Sequence, residues 1–462
     1  MNLQRNALAA VFATACLAGP AGPCLAASIE DELKQLLVEH PLLKSGRKAI
    51  DAAGSSRGAA QAGYYPRVTV SADGGPEKIS TESYSNGLVT PPAQSDLPRR
   101  KLALSIEQNL YAGGRTAAAV DVADIDAQLQ ANNLRTTTQD VLLEGITAYL
   151  QMARYKALIT LARRNEETTK RQLALENIRV KRGGGIAVDA MQARARLQLV
   201  SERRVFYYQG LREAAANYQQ VFGHAPDLDK LQQLEIYTAR LPESLEVALA
   251  QGRASSTRVK ESELQSHRAL QQIKQEKSGL MPTIDLVASR TKDNDVNALA
   301  RRAESSLLLK FSWPLYSGLE TKHRVAAAGS QHQAVFEREA AVLNKQDESV
   351  RVAWNQLQSG QEREGMLESA STITFDVMQN RKRLRDAGRE TVMSVLDAEV
   401  EYYGVLANRA NASNDTRIAS YRLLAAIGAL TPSMIGLEGG KFTLPVKPLV
   451  VDFGNIDADA KR

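Results

Sequence analysis

Four stretches of the chain alternate apolar and polar residues with a period of two. Val68 and Val70, Leu102, Leu104 and Ile106, Ile284 and Leu286, and Leu307, Leu309, Phe311 and Trp313 are interleaved with Thr69, Ala103, Ser105, Asp285, Lys310 and Ser312. The pattern predicts two strand pairs, 64–72 with 100–111 and 282–290 with 305–316, each with one greasy and one mostly wet face. Between and after them the period changes. No proline interrupts 113–182 or 318–386, and Ala, Leu, Gln, Glu and Arg dominate at helical spacing. About 70 residues at 1.5 Å each predict a helix of order 100 Å in each segment. Return helices are predicted over 187–223 and 392–428, with shorter ones around Leu43 to Gln61 and Ser255 to Ser278.

The chain is written twice. Leu110-Tyr111-Ala112-Gly113 recurs as Leu315-Tyr316-Ser317-Gly318, and at the same spacing Gly183 meets Gly388, Ala193 meets Ala398 and Gly223 meets Gly428. Upstream, the run from Gly63 through Pro66 to Val70 answers to the run from Gly279 through Pro282 to Leu286 at a larger spacing. Copy one therefore carries extra residues between its strands, and Asp73-Gly74-Gly75-Pro76 and Thr90-Pro91-Pro92 are read there as loops. The organisation predicted is a first repeat over 27–235, a second over 236–430, and a tail over 431–462. That tail opens at Pro432 with three nearby glycines and contains one candidate strand, Leu449 to Phe453.

Residues 1–26 read as an export signal: Arg5, an apolar run from Ala7 to Ala18 too short to span a bilayer, and a small-residue cleavage site at Cys24-Leu25-Ala26. Both cysteines, Cys16 and Cys24, fall within it, so the processed chain offers no thiol. A lipid anchor on Cys24 is the competing reading, and Pro23 before it argues against that signal. No later stretch is apolar enough for a transmembrane helix, so any membrane role falls to strands. The net charge is +6, which fits a nucleic-acid or anionic-lipid partner, but Lys and Arg are spread among Glu and Gln with only 5% aromatics, the mark of solvated helix faces.

Strand alternation alone also fits a sheet half-buried on a soluble core. The rest of the chain offers nothing to cover such a sheet. If the apolar face instead meets lipid, four strands leave two open edges whose N–H and C=O groups need partners from other copies. Closed barrels begin at about eight strands, so two copies give a minimal barrel and three a twelve-stranded one with a wider, wet lumen, continued at its rim by the long helices as a second tube. The fold class predicted is α+β, mainly α.

No chemistry emerges. Gly54-Ser55-Ser56-Arg57-Gly58 has hydrolase-elbow spacing but interrupts an Ala-rich helical segment. Gly183-Gly184-Gly185 lacks the Lys-Ser/Thr of a phosphate loop. The five histidines have no metal-ligand spacing, so neither an enzyme, a metal nor a cofactor is predicted.

Tyr65-Pro66 and Met281-Pro282 at strand starts, Leu110 to Gly114 and Pro314 to Gly318 at strand-to-helix junctions, and the run Gly388-Arg389-Glu390-Thr391-Val392-Met393-Ser394-Val395-Leu396-Asp397-Ala398 resemble the TolC family of outer-membrane efflux and type I secretion proteins. The turn reads physically as well: Gly388 ends one helix, Thr391 caps the next, and Val392, Val395 and Leu396 open its apolar face. On its own, Asp397 is an acid favoured by a helix N-terminus. The resemblance implies more. Acidic residues here ring a narrowed periplasmic mouth and select cations; Asp397 and Ser394 match such positions, and Asp189 is the copy-one equivalent of Ser394. Gly183 and Gly388 mark the two turns. Arg385 and Glu390 stand where the family's closing network has Tyr and Arg, so that network is altered in this chain. The resemblance further implies a homotrimer in the Gram-negative outer membrane, in contact with its lipid, reaching into the periplasm toward an adaptor and an inner-membrane ABC transporter or proton-driven pump. A periplasmic coiled-coil adaptor or structural protein is the alternative.

Overall fold

A computed structural model of the chain describes residues 29–85, 88–228, 231, 241–297 and 300–433. The leader and the candidate strand at 449–453 lie outside the described residues. The elements run α1 (Ile29–Glu39), α2 (Pro41–Gln61), β1 (Arg67–Ser85), β2 (Leu88–Tyr111), α3 (Arg115–Lys181), α4 (Ala187–Phe222), α5 (Leu245–Ser255), α6 (Thr257–Lys277), β3 (Thr283–Asn297), β4 (Ala300–Ser312), α7 (Glu320–Asp386) and α8 (Val392–Ala426).

The duplication is visible in element lengths. α1 and α5 have 11 residues each, α2 and α6 21 each, α3 and α7 67 each, and α4 and α8 have 36 and 35. At 1.5 Å per residue, α3 and α7 each span about 100 Å. The strands differ by far more: β1 and β2 have 19 and 24 residues, β3 and β4 15 and 13.

That difference corrects the loop reading of Asp73–Pro76 and Thr90–Pro92. Asp73, Gly74, Gly75 and Pro76 pair with Lys101, Arg100, Arg99 and Pro98, and Thr90 pairs with Ser83. β2 stops pairing with β3 at Lys101↔Asp293, so beyond it the first hairpin continues as a two-stranded ribbon. An edge ribbon tolerates proline, because an N–H missing from the ladder there costs little; Pro76 sits opposite Pro98. The boundaries also move. β1 starts at Arg67 and not 64, because Ala62–Tyr64 forms a 3-10 turn. β4 ends at Ser312, before Pro314, and the long helices begin at 115 and 320.

The strands form one antiparallel sheet in the order β1-β2-β3-β4, which leaves β1 and β4 as edges within one chain. Cross-strand partners Val68↔Ile106 and Val70↔Leu104, and Ala288↔Leu307 and Leu286↔Leu309, put the apolar residues on one face. That face is bare: Val70 is 66% exposed and Leu307 70%. No helix among the described residues is long and apolar enough to cross a membrane.

The core lies away from the sheet, where α1 and the ends of α4 and α8 meet the middle of α3. Leu33, Leu36, Leu142, Ile146, Leu150, Phe222, Leu423 and Leu424 pack there in one buried cluster. Each such Leu or Ile contributes about 2 kcal/mol by leaving water.

Gly113 carries a prediction about the strand-to-helix junction. Its φ is +63°, and a Cβ added there would lie 2.8 Å from the backbone oxygen of Ser278 and 2.5 Å from Met281 Cβ, whereas its copy-two equivalent Gly318, φ +64°, has open space. Gly318→Ala should cost about 1 kcal/mol for the left-handed backbone alone. Gly113→Ala should cost at least about 3 kcal/mol, because copy-two backbone must also move. Denaturant midpoints of the two purified variants check this; equal losses would contradict it.

Candidate functional site

The far ends of the four long helices form the site. α3 ends in a paired turn: Gly183 takes φ +77°, its N–H donates to Val180 O (3.0 Å), and Gly184 N–H donates to Arg179 O (3.1 Å). α7 ends in the same way. Gly388, at φ +72°, donates to Arg385 O (2.9 Å), and Arg389 N–H donates to Leu384 O (2.9 Å). Both are the glycine-dependent stop that satisfies the last carbonyls of a helix. Each chain then reverses. Thr391 caps α8 by accepting from Ser394 N–H (3.2 Å), and its hydroxyl lies 2.8 Å from that of Ser394. α4 has no side-chain cap, and Asp189 in its first turn faces the positive end of the helix.

Two cross-helix ties hold the hairpins together. Arg385 Nη1 donates to Gln172 Oε1 (2.7 Å), joining α7 to α3, while its other nitrogens grip Asp386. Arg196 of α4 pairs with Asp397 of α8. Asp397 therefore enters the site as half of an ion pair. Ala193, Val392 and Leu396 form a small apolar plug beside these ties. Glu390 is held by Arg381 at 3.8 Å. A hydrogen bond from Ser394 and the Arg381 charge keep its carboxyl below the usual range despite some desolvation.

The buried face of α3 changes character on the way to this end. Up to Ala162 it is mainly apolar, with Leu142, Ile146, Leu150, Leu158 and Leu161; beyond it the buried residues are Glu166, Thr169, Gln172 and Glu176, all polar. Burial would raise the Glu166 carboxyl, but hydrogen bonds from Lys170, Arg204 and Ser201 outweigh it and hold it below the usual range. Lys170 Nζ lies at 2.9 Å and Ser201 Oγ at 3.1 Å. On α8, Glu399 is fully buried, with Lys382 Nζ 2.8 Å from Oε1 as its counter-charge. Buried ion pairs of this kind add little net stability over apolar packing, since both charges are desolvated. They break at small net cost when water enters.

The structure thus brings together Arg385, Asp397, Thr391, Ser394, Glu390 and Gly388 at one end, with Gly183 and Asp189 in the matching turn. Sequence reasoning missed Arg196, Gln172 and Lys382. No local spacing reveals them, because Arg196 and Asp397 are 201 residues apart and Gln172 and Arg385 are 213 apart. Among the described residues no group of His, Cys, Asp and Glu is arranged to hold a metal ion.

Comparison with known proteins fits this geometry. The family described as outer membrane efflux protein matches residues 33–224 and 248–429, one match per repeat. The chain is 26% identical over 371 residues to the outer membrane efflux protein BepC of Brucella suis biovar 1, covering 78% of this chain and 79% of that protein. It is 22% identical over 326 residues to the outer membrane protein TolC of Escherichia coli K12, covering 68% of this chain and 66% of that protein. Among solved structures, the outer-membrane channel OprN shares its fold with a TM-score of 0.74 at 18% identity, over 87% of this chain and 90% of that one. With both repeats matched, the chain belongs to the outer membrane efflux protein family, whose members are channels of the Gram-negative outer membrane.

Proposed function

We propose that three copies of the chain close a twelve-stranded barrel and a helical tube below it, forming the passive exit duct of an export system. An adaptor in the periplasm and an inner-membrane ABC transporter or proton-driven pump would supply cargo and energy. Relatives named for alkaline protease secretion (AprF of Pseudomonas aeruginosa) and for efflux (BepC) leave both cargo types, secreted protein and small molecule, to this chain. Two open sheet edges and a bare apolar face support the assembly.

The observation that carries the mechanism is the change from apolar to polar burial along α3. The middle of the tube is clamped by an extensive water-excluding core, and its tips are held by hydrogen bonds and ion pairs that water can replace, around only the small plug of Ala193, Val392 and Leu396. The mouth dilates by breaking Arg385–Gln172 and Arg196–Asp397, while the turns at Gly183 and Gly388 stay intact. Asp397, Asp189 and the hydroxyl of Ser394 line the narrowed passage and favour cations. The alternative of a periplasmic adaptor has no use for a bare sheet face, and the family match speaks against it.

Two substitutions separate tie from selectivity in single-channel recordings. Arg196→Ala and Asp397→Ala both break the α4–α8 tie and should both raise conductance severalfold. Cation preference should rise in the first, which uncovers a carboxylate, and fall in the second, which removes it. Selectivity moving the same way in both variants would remove Asp397 from the passage.

Acid should loosen each hairpin separately. Glu166 of α3 is bonded by Arg204 and Ser201 of α4, and Glu390 lies between Arg381 of α7 and Ser394 of α8; both carboxyls are held below their ordinary range. Their contribution to stability is therefore complete above the ordinary carboxylate value of about 4.3 and is lost as pH falls through the lower values of the folded state. The midpoint of thermal unfolding should fall on acidification below about pH 4, and a flat profile down to about pH 3 would refute the assignment.

A further inference from the structure

The charges of the sheet are sorted by face. On the face that carries Val70, Leu104 and Leu307, register also places Arg100, Arg290 and Lys292, and further out along the ribbon Lys78 opposite Asp96. The described acids of the strands, Asp73, Glu77, Asp293 and Glu304 among them, fall on the opposite face. There three of them have partners: Arg99 reaches Glu77 at 3.2 Å and Asp73 at 3.8 Å, and Arg302 reaches Glu304 at 3.1 Å. Arg100, Arg290 and Lys292 are exposed and, among the described residues, make no ion pair or side-chain hydrogen bond.

These three cations form a compact group. Arg290 is opposite Leu104 and Lys292 opposite Leu102, with Arg100 two residues further along β2. Arg290 and Lys292 are therefore about 7 Å apart along the strand, and Arg100 lies on the diagonal from Lys292 at about 7–8 Å. The group is on the same face as the apolar band and continuous with its upper rows. It is distal to the helices: eleven residues of β2 separate Arg100 from Tyr111, about 37 Å along the strand and about 28 Å along a barrel axis at a tilt of about 40°. That is the height of an outer-membrane barrel's apolar band. The lower rim has exposed Tyr65, Tyr111 and Trp313, a usual interfacial girdle. The upper rim has cations instead.

An unpaired cation on a lipid-facing surface is tolerated only at the headgroup level, where long side chains reach up to polar groups. Guanidinium forks match phosphate oxygens in pairs. We propose that Arg100, Arg290 and Lys292 form a binding site on the outer wall of the barrel for the phosphate groups of the phosphorylated glycolipid in the outer leaflet. The proposal rests on the barrel reading, with this face toward lipid. Near a membrane surface each cation adds about fivefold in affinity for anionic lipid, about 100-fold for three.

The test is native mass spectrometry of the detergent-purified oligomer, titrated with a bis-phosphorylated lipid A and with its dephosphorylated form. The unmodified protein should prefer the phosphorylated lipid by about 100-fold. Arg100→Gln/Arg290→Gln/Lys292→Gln should abolish the preference, Arg290→Gln alone should lower it about fivefold, and Arg302→Gln on the other face should leave it unchanged. Inorganic phosphate at millimolar concentration should not compete. Equal binding of the two lipids, a preference that survives the triple substitution, or displacement by inorganic phosphate would each overturn the site. Bilayer conductance of the same preparations separates the two readings: an unmodified oligomer that conducts but shows no lipid preference faults only this site, and an unmodified oligomer that binds the lipid but does not conduct faults the channel.

Discussion

What holds the helices together changes along α3, and the proposed opening of the molecule depends on where that change falls. Up to Ala162 the neighbouring helices meet mainly across Leu, Ile and Tyr; beyond it they meet across Glu166, Thr169, Gln172 and Glu176. An apolar contact separates only by exposing surface to water, at roughly 25 cal/mol per Å². A hydrogen-bonded or ionic contact separates by trading its partner for water, at a net cost of order 1 kcal/mol. A rod of about 100 Å built in this way is rigid in the middle and releasable at one tip. The placement of α1 and α5 fits: these short helices add apolar side chains such as Leu33, Leu36 and Ala248 to the middle.

The opposite end obeys a different constraint. In a bilayer every backbone donor and acceptor needs a protein partner, and one chain supplies four strands with two unpaired edges. Assembly around an axis removes the edges and at once arranges the tips of α3, α4, α7 and α8 in a ring. Barrel closure and the convergence of the tips are then one geometric event. The repeat makes this economical, since lengths matched residue for residue in α3 and α7 bring both hairpins to the same height.

Much of this was legible in the sequence. The unbroken helices followed from the absence of proline over 113–182 and 318–386, the duplication from Gly183 and Gly388 standing at a constant spacing, and the bare sheet face from the alternation at Val68, Val70, Leu307 and Leu309. The first hairpin reads too short from sequence, because Gly74-Gly75-Pro76 has the chemistry of a turn. Only the pairing partner across the ribbon, with Pro76 against Pro98, explains why the strand continues. The ties at the tips were invisible for a different reason. Arg385 and Asp397 were singled out by the turn they flank, but Gln172 and Arg196 lie on unremarkable helical stretches and acquire their roles only when α3 meets α7 and α4 meets α8.

The central claim is that the tips of the two hairpins part from one another when the channel opens. Its most direct measurement uses Gln172→Cys/Arg385→Cys in a chain whose two native cysteines, Cys16 and Cys24, are replaced by Ser. The pair is joined by a short bifunctional thiol reagent, and single-channel conductance is recorded before and after joining and again after reductive release. The account predicts a conducting channel before joining, a sealed one while joined, and recovery on release. Joined channels that conduct as freely as unjoined ones would contradict it.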